Sequence, residues 1–285
     1  MSEKPIIEKI LASVATFQGM PGNAAKVLSM LDDPEFEVSQ IEETLRLDPE
    51  LTANVLRLTN SAYFGFSEKI GSLKQAIVVL GSKKLIQLVM ATCMSGLMNQ
   101  QVRGYDLGKG DLWRHSIAVS VVAEKLIEEI GVPAEPEIFT AALLHDIGKL
   151  LLGQHIQNYL EAIDARITPE KSFQTIEREV LGTDHAEIGA RILQNWSFPD
   201  NVVNAVRWHH DPDQAPEINT MTDVVHAANV LCQLIGIGTG REGLHYEPAP
   251  GTAKRLGLRA SLLEKLASQA LMWIEELNDI LAVQE

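Results

Sequence analysis

The sequence predicts an all-α protein. Apolar residues recur at helical spacing along the whole chain, and helix-start signals repeat at short intervals. No sustained period-two alternation between Gly and Asn turns marks a sheet. With 285 residues and 46% hydrophobic content, the chain is long enough to bury one large core or two smaller ones.

The elements follow from their caps. One or two helices precede Pro34, and Ser39-x-x-Glu42 is a capping box for a helix over about 39–47. Asp48 before Pro49 starts a helix over about 49–59, because proline fits the first helical position. Ser72-x-x-Gln75 starts another over about 73–80, which Gly81 separates from one over about 83–98. Gly104-Tyr-Asp-Leu-Gly-Lys-Gly110 then interrupts the apolar pattern. This break divides an N-terminal helical part, 1–104, from a second part, 105–236, with a loop and C-terminal helical extension over 237–285. In the second part the helices run over about 111–130, 137–151, 156–165, 171–181, 184–195, 199–209 and 217–236, and the extension carries 258–284. The stretch from Gly236 to Gly251 is the one long loop, expected to be mobile.

Charge and composition exclude several functions. A formal net charge of -14, with no basic stretch, repels a polyanion, so no nucleic-acid partner is expected. No run of about 18 apolar residues and no basic-then-apolar leader is seen, so neither a membrane nor secretion is expected and the setting is cytoplasmic. Cys93 and Cys232 stand far apart in apolar helical text and read as buried thiols.

Six residues in the second half carry the chemistry: His115, His145-Asp146, His185 and His209-His210. Imidazole and carboxylate are the donors divalent metals take from proteins. Each taken singly has a plain reading, a core hydrogen bond or a helix-end interaction. Together, in one order on the helices of one bundle, they point to a site for one or two divalent ions: Fe, Mn, Ni or Zn. An Asp oxygen can bridge two ions while each His supplies one nitrogen, the arrangement with which two-metal hydrolytic sites clamp attacking and leaving oxygens. Lys149, four residues after His145, would share its helix face and reach a phosphate oxygen.

The order His, His-Asp, His, His-His resembles the HD superfamily of metal-dependent phosphohydrolases, in the extended ligand set of its HD-GYP branch. Leu112-Trp-Arg-His-Ser116, Leu143-Leu-His-Asp-Ile-Gly-Lys149, Asn60-Ser-Ala-Tyr-Phe-Gly65 and Gln75-Ala-Ile-Val-Val-Leu-Gly81 resemble an HDOD domain, over about residues 15–235. The resemblance implies an HD-like bundle with an N-terminal helical HDOD subdomain and a regulatory or signalling role. It places His115, His145, Asp146, His185, His209 and His210 at metal positions and Lys149 at the lysine after the HD pair. Two departures matter. No Gly-Tyr-Pro follows His210, so specificity for cyclic di-GMP is not supported, and Asn229 stands where the family's final aspartate is expected. An amide oxygen is a weaker, uncharged ligand. Asp111, Asp223 and His226 are the residues whose helical spacing would let them compensate.

The reading that results is a metal-binding regulatory protein with residual or specialised phosphohydrolase activity on a nucleotide or another small phosphoester. Its alternatives are an active metal-dependent phosphohydrolase, with Asp146 and Lys149 in the reaction, and a purely non-catalytic module that signals to a protein partner.

Overall fold

The computed structural model describes residues 5–17, 19–31, 45, 48–61, 64–133, 135–168, 171–243 and 248–281; of 29–31 and 274–281 it describes the backbone alone. The helix expected over 39–47, with its capping box, lies outside the described residues. Among the described residues the chain is helical throughout and has no strand, only a single bridge between Val102 and Leu107.

The helices are α1 (Ile6–Ala15), α2 (Gly22–Leu31), α3 (Pro49–Thr59), α4 (Leu73–Met98), α5 (Asp111–Ile130), α6 (Ile138–Leu144) and α7 (Gly148–Ile156). They continue with α8 (Leu160–Asp164), α9 (Phe173–Leu181), α10 (His185–Asn195), α11 (Asp200–Trp208), α12 (Thr220–Leu234), α13 (Pro250–Arg255) and α14 (Ala260–Leu281). Contacts divide the chain into two compact units. One is Met1–Gly19 with Met98–Ala270, and the other is Met20–Leu97 with Leu271–Glu285. This differs from a division at residues 104 and 236: α1 packs on α7 and α10, and most of the C-terminal extension belongs with the second half of the chain.

In the smaller unit the expected caps are made. Asp48 accepts from Leu51 N at 2.9 Å with Pro49 in the first turn, and Ser72 Oγ accepts from Gln75 N at 3.2 Å. The two helices expected on either side of Gly81 are joined end to end, with Gly81 at φ 77 and ψ 164, outside helical geometry. Taken whole, Leu73–Met98 is long and apolar enough to cross a membrane by length and composition; 44% of its apolar window is buried, and Gly81 breaks it.

The larger unit builds the site. α5 packs on α6 and α12, α11 on α6, α10 and α12, and α10 on α7. Leu112, Val119, Leu126, Leu143, Leu193, Val206 and Val225 fill the space between them. A Cβ on Gly148 would stand 2.0 Å from the His185 carbonyl oxygen, so glycine there lets α7 meet the start of α10 backbone to backbone. One expected helix is wrong in a way that matters: 137–151 is not continuous. It splits into α6 and α7 around residues 145–147.

Candidate metal centre

His145 and Asp146 occupy the turn between α6 and α7. Ile147 N donates to Leu144 O and Lys149 N to Asp146 O, both at 3.0 Å, an i to i−3 pattern wound tighter than an α-helix. Side chains three residues apart then eclipse. Lys149 therefore stacks on Asp146, with Nζ donating to Oδ2 at 2.7 Å, rather than sharing the face of His145.

Four imidazoles are fixed by one device. Nδ1 of His115 lies 2.8 Å from the Ile237 carbonyl, Nδ1 of His145 2.7 Å from that of Ala142, and Nδ1 of His209 2.6 Å from that of Val206. Nδ1 of His185 lies 2.8 Å from Glu177 Oε2. Those oxygens only accept, so each Nδ1 carries a proton and each Nε2 of a neutral ring presents a lone pair. This is how proteins orient metal-binding histidines. His145 and His209 use helix-end carbonyls that lack an intrahelical donor. The Ile237 carbonyl is delivered by the end of α12, where Gly236 at φ 82 reverses the chain and Ile237 N donates to Cys232 O at 2.9 Å.

The Nε2 atoms surround Asp146, which is fully buried. Its Oδ2 is 3.5 Å from His115 Nε2 and 3.3 Å from His145 Nε2. Its Oδ1 is 3.4 Å from His185 Nε2 and 3.7 Å from His209 Nε2. The donors thus form two groups that share this carboxylate: His115, His145 and Asp146, and Asp146, His185, His209 and His210, each within a 4.8 Å span. His145 Nε2, His209 Nε2 and Asp146 Oδ1 are buried without a hydrogen-bond partner. Orphaned polar atoms of this kind are rare in folded proteins, and a cation among them satisfies all three. The residues present fit a divalent metal.

Electrostatics support the same placement. Burial drives the His115 pKa down to about 3, so its ring stays neutral. Burial, with neighbouring cationic groups, also holds His209 and His210 well below the usual histidine value. Burial would raise the Asp146 carboxyl, but His145 and Lys149 outweigh it and keep Asp146 ionised. For Lys149, burial opposes the charge, and Asp146 and Glu242 overcome it. His185 is the exception among the rings. Burial would lower it, but Glu177 pushes it up to about 9, and its Nε2 stands 2.8 Å from Nε2 of His210. That contact holds a proton, which a metal on these two rings must displace.

Asn229 faces the site, its Oδ1 3.0 Å from His115 Nε2 and its Nδ2 without a partner. Two acceptors at that distance are relieved by a shared cation, or by an amide turned to donate. The three other candidates are engaged elsewhere. Asp111 accepts from Gly108 N and Arg114; Asp223 from Thr252 and Arg255. His226 donates through Nδ1 to the His209 carbonyl and accepts from Ala249 N.

Three residues escaped the sequence reading. Glu177 holds His185 by both its ring and its backbone N, and accepts a short hydrogen bond from Tyr105 Oη. Glu242 binds Lys149 at 2.8 Å. Glu177 had a legible signal, since Phe173, Glu177 and Leu181 lie at i, i+4 and i+8 on the buried face of an amphipathic helix. Glu242 had none, sitting in the Gly236–Gly251 loop. Over 237–243 that loop is laid across the site, and 244–247 lie outside the described residues.

The larger unit is a helical bundle that gathers imidazoles around one buried aspartate, a donor set that could hold a divalent metal. Residues 18–212 match the HDOD domain, and the chain belongs to the HDOD domain family. An uncharacterized protein of Treponema pallidum (strain Nichols) is 25% identical over 219 residues, 73% of this chain and 41% of that protein. Ribonuclease Y of Thermus thermophilus is 32% identical over 131 residues, 46% of this chain and 18% of that enzyme. The chain thus spans less than half the length of these curated relatives. Among solved structures, an HDOD domain protein of unknown function from Geobacter sulfurreducens superposes with a TM-score of 0.74 at 22% identity, covering 97% of this chain and 95% of that one. A candidate phosphohydrolase of Shewanella amazonensis SB2B gives 0.67 at 26% identity, covering 92% and 97%.

Proposed function

We propose that this chain is a metal-dependent phosphohydrolase of the HDOD family, acting on a nucleotide or another small phosphoester. The observation that carries the reading is the set of Nε2 lone pairs of His115, His145 and His209, each ring locked through Nδ1, around the unpartnered Oδ1 and shared carboxylate of Asp146. His115, His145 and Asp146 would hold one ion, and Asp146, His185, His209 and His210 another, with Asn229 a weaker neutral donor beside His115. Ions bound there supply Lewis acidity and make water nucleophilic near neutral pH.

The protein's own groups do the rest. Asp146, kept ionised and central, fixes the two donor groups relative to one another. Lys149, kept cationic against burial, is the group that neutralises phosphate charge. Glu177 holds His185 in register, and Tyr105 in turn holds Glu177. The surrounding burial excludes bulk water, which strengthens each of these interactions. The net charge of -14 weighs against a long polyanion as substrate, despite the likeness of part of the chain to Ribonuclease Y. The likeness to a candidate phosphohydrolase agrees with the reading.

A panel of nucleotides and generic phosphoesters with Mn or Fe tests it. Turnover should fall more than about a hundredfold in His145→Ala and Asp146→Ala. Equal background rates in wild type and both variants would leave the second reading, in which the metal stiffens a module that signals to a protein partner. That reading is favoured by the neutral Asn229 and by the narrowness of the cleft that reaches His185 and His210.

A further inference from the structure

Among the described residues, a narrow cleft reaches the donor groups. The cleft that reaches His185 and His210, lined also by Phe173, Gln174, Gln233 and Glu242, has about 10 Å³ open to the centre of a water molecule. That is room for about one water, not for a five-heavy-atom phosphate group. Glu242 and Gly243, from the segment 237–243, form one of its walls. Gly238 crosses His115 so tightly that a Cβ would stand 2.5 Å from the His115 Cβ. Arg241 N donates to the Tyr105 carbonyl at 2.7 Å, and Gly243 N to the Thr239 carbonyl at 2.7 Å, so the segment is a single turn pinned at its middle. From that turn Glu242 puts a carboxylate on Lys149, at 2.8 Å through Oε1 and 2.9 Å through Oε2.

We propose that Glu242 is a built-in competitor for phosphate: its carboxylate occupies the Lys149 ammonium in the closed site and leaves when an anionic phosphoryl group enters. The inference rests on the phosphohydrolase reading and extends it to how the site admits its substrate. A carboxylate and a phosphoryl group offer the same thing to an ammonium, negative oxygens at hydrogen-bond distance. Lys149 keeps Asp146 as a partner at 2.7 Å, so loss of Glu242 does not strand it. The turn carrying Glu242 is seated by a handful of contacts, Arg241 N on the Tyr105 carbonyl, the Arg241 guanidinium on Asp164 and Glu242 on Lys149, so freeing the Glu242 carboxylate requires breaking its ion pair and not the helices that hold the donor groups. The competition also disfavours weakly bound anions, because only a ligand that gains more at the donor groups than Glu242 gains at Lys149 displaces it.

The test uses the full chain loaded with Mn and inorganic phosphate as the probe. Phosphate affinity should rise at least tenfold in Glu242→Gln, with Glu242→Asp close to wild type. Gly240→Ala, whose new Cβ would stand 2.4 Å from the Tyr105 carbonyl oxygen, loosens the turn without altering charge and should also tighten phosphate binding. Phosphate should speed tryptic cleavage after Arg241 in the wild type, because the turn leaves its seat. Equal phosphate affinity in wild type, Glu242→Gln and Gly240→Ala, with cleavage after Arg241 unchanged, overturns the competitor and leaves the phosphohydrolase reading standing. No phosphate binding by any of them overturns both.

Discussion

Replacing Asn229 by aspartate asks the site what it is built to hold. The side chain is fully buried, and its oxygen stands 3.0 Å from a ring nitrogen of His115 whose pKa is depressed to about 3. Without a metal the new carboxylate is a buried charge facing a lone pair, and an unpaired buried charge costs about 3–5 kcal/mol. Protonating His115 at neutral pH to pair with it means climbing four pKa units, roughly 5 kcal/mol before the pair gives anything back. At about 2 °C per kcal/mol for a chain of this size, Asn229→Asp with a chelator should melt about 6–10 °C below wild type. Metal stabilises both proteins, and each tenfold by which the aspartate variant binds it more tightly than wild type returns about 1.4 kcal/mol, so the deficit should narrow in excess Mn or Zn. Thermal unfolding of both proteins, each with chelator and with metal, is the assay. A deficit of the same size under both conditions, or none under either, would refute the placement of Asn229 beside a cation.

Two further outcomes follow from the same geometry. Glu177→Gln removes the charge that orients His185, and metal affinity measured against a competing chelator should fall about 10–100-fold; an unchanged affinity refutes the orienting role. In metal-free protein, His115, His209 and His210 are held neutral with depressed pKa values, while the unfolded chain protonates them near the ordinary histidine value. The unfolded state therefore binds more protons as pH falls below about 6.5, so stability is lost in that direction, by up to about 1.4 kcal/mol per unit for each such ring. His185, raised to about 9, acts oppositely: its contribution is complete below about 6.5 and is lost as pH rises toward 9. Urea unfolding across pH 5–9 with a chelator should show a maximum between the two flanks, and a flat profile contradicts it.

Much of this was legible in the residues. Caps and glycines placed α3, the break at Gly81, α5 and the start of α10, because those signals act within four residues of themselves. The donor set was legible because metal ligands are few in kind and recur in an order. Other features depend on contacts distant in sequence. The turn at 145–147 reads as continuous apolar helix, and only packing of Gly148 against the His185 backbone shows why the chain tightens there. Glu242 reaches Lys149 across 93 residues, which no local pattern announces. Asp223 and His226 share a helix with Asn229 at a spacing that would let them compensate for it, yet α13, an unexpected helix, and the residue before it claim both.

Crystals of the protein loaded with Mn or Zn, measured for anomalous scattering at the metal edge, test the central claim most directly. Density is expected on both sides of Asp146. One peak should lie within about 2.0–2.2 Å of a carboxylate oxygen and of Nε2 of His115 and His145, the other likewise with His185, His209 and His210. Loaded crystals with no peak beside Asp146, or with metal only at surface carboxylates, would contradict it.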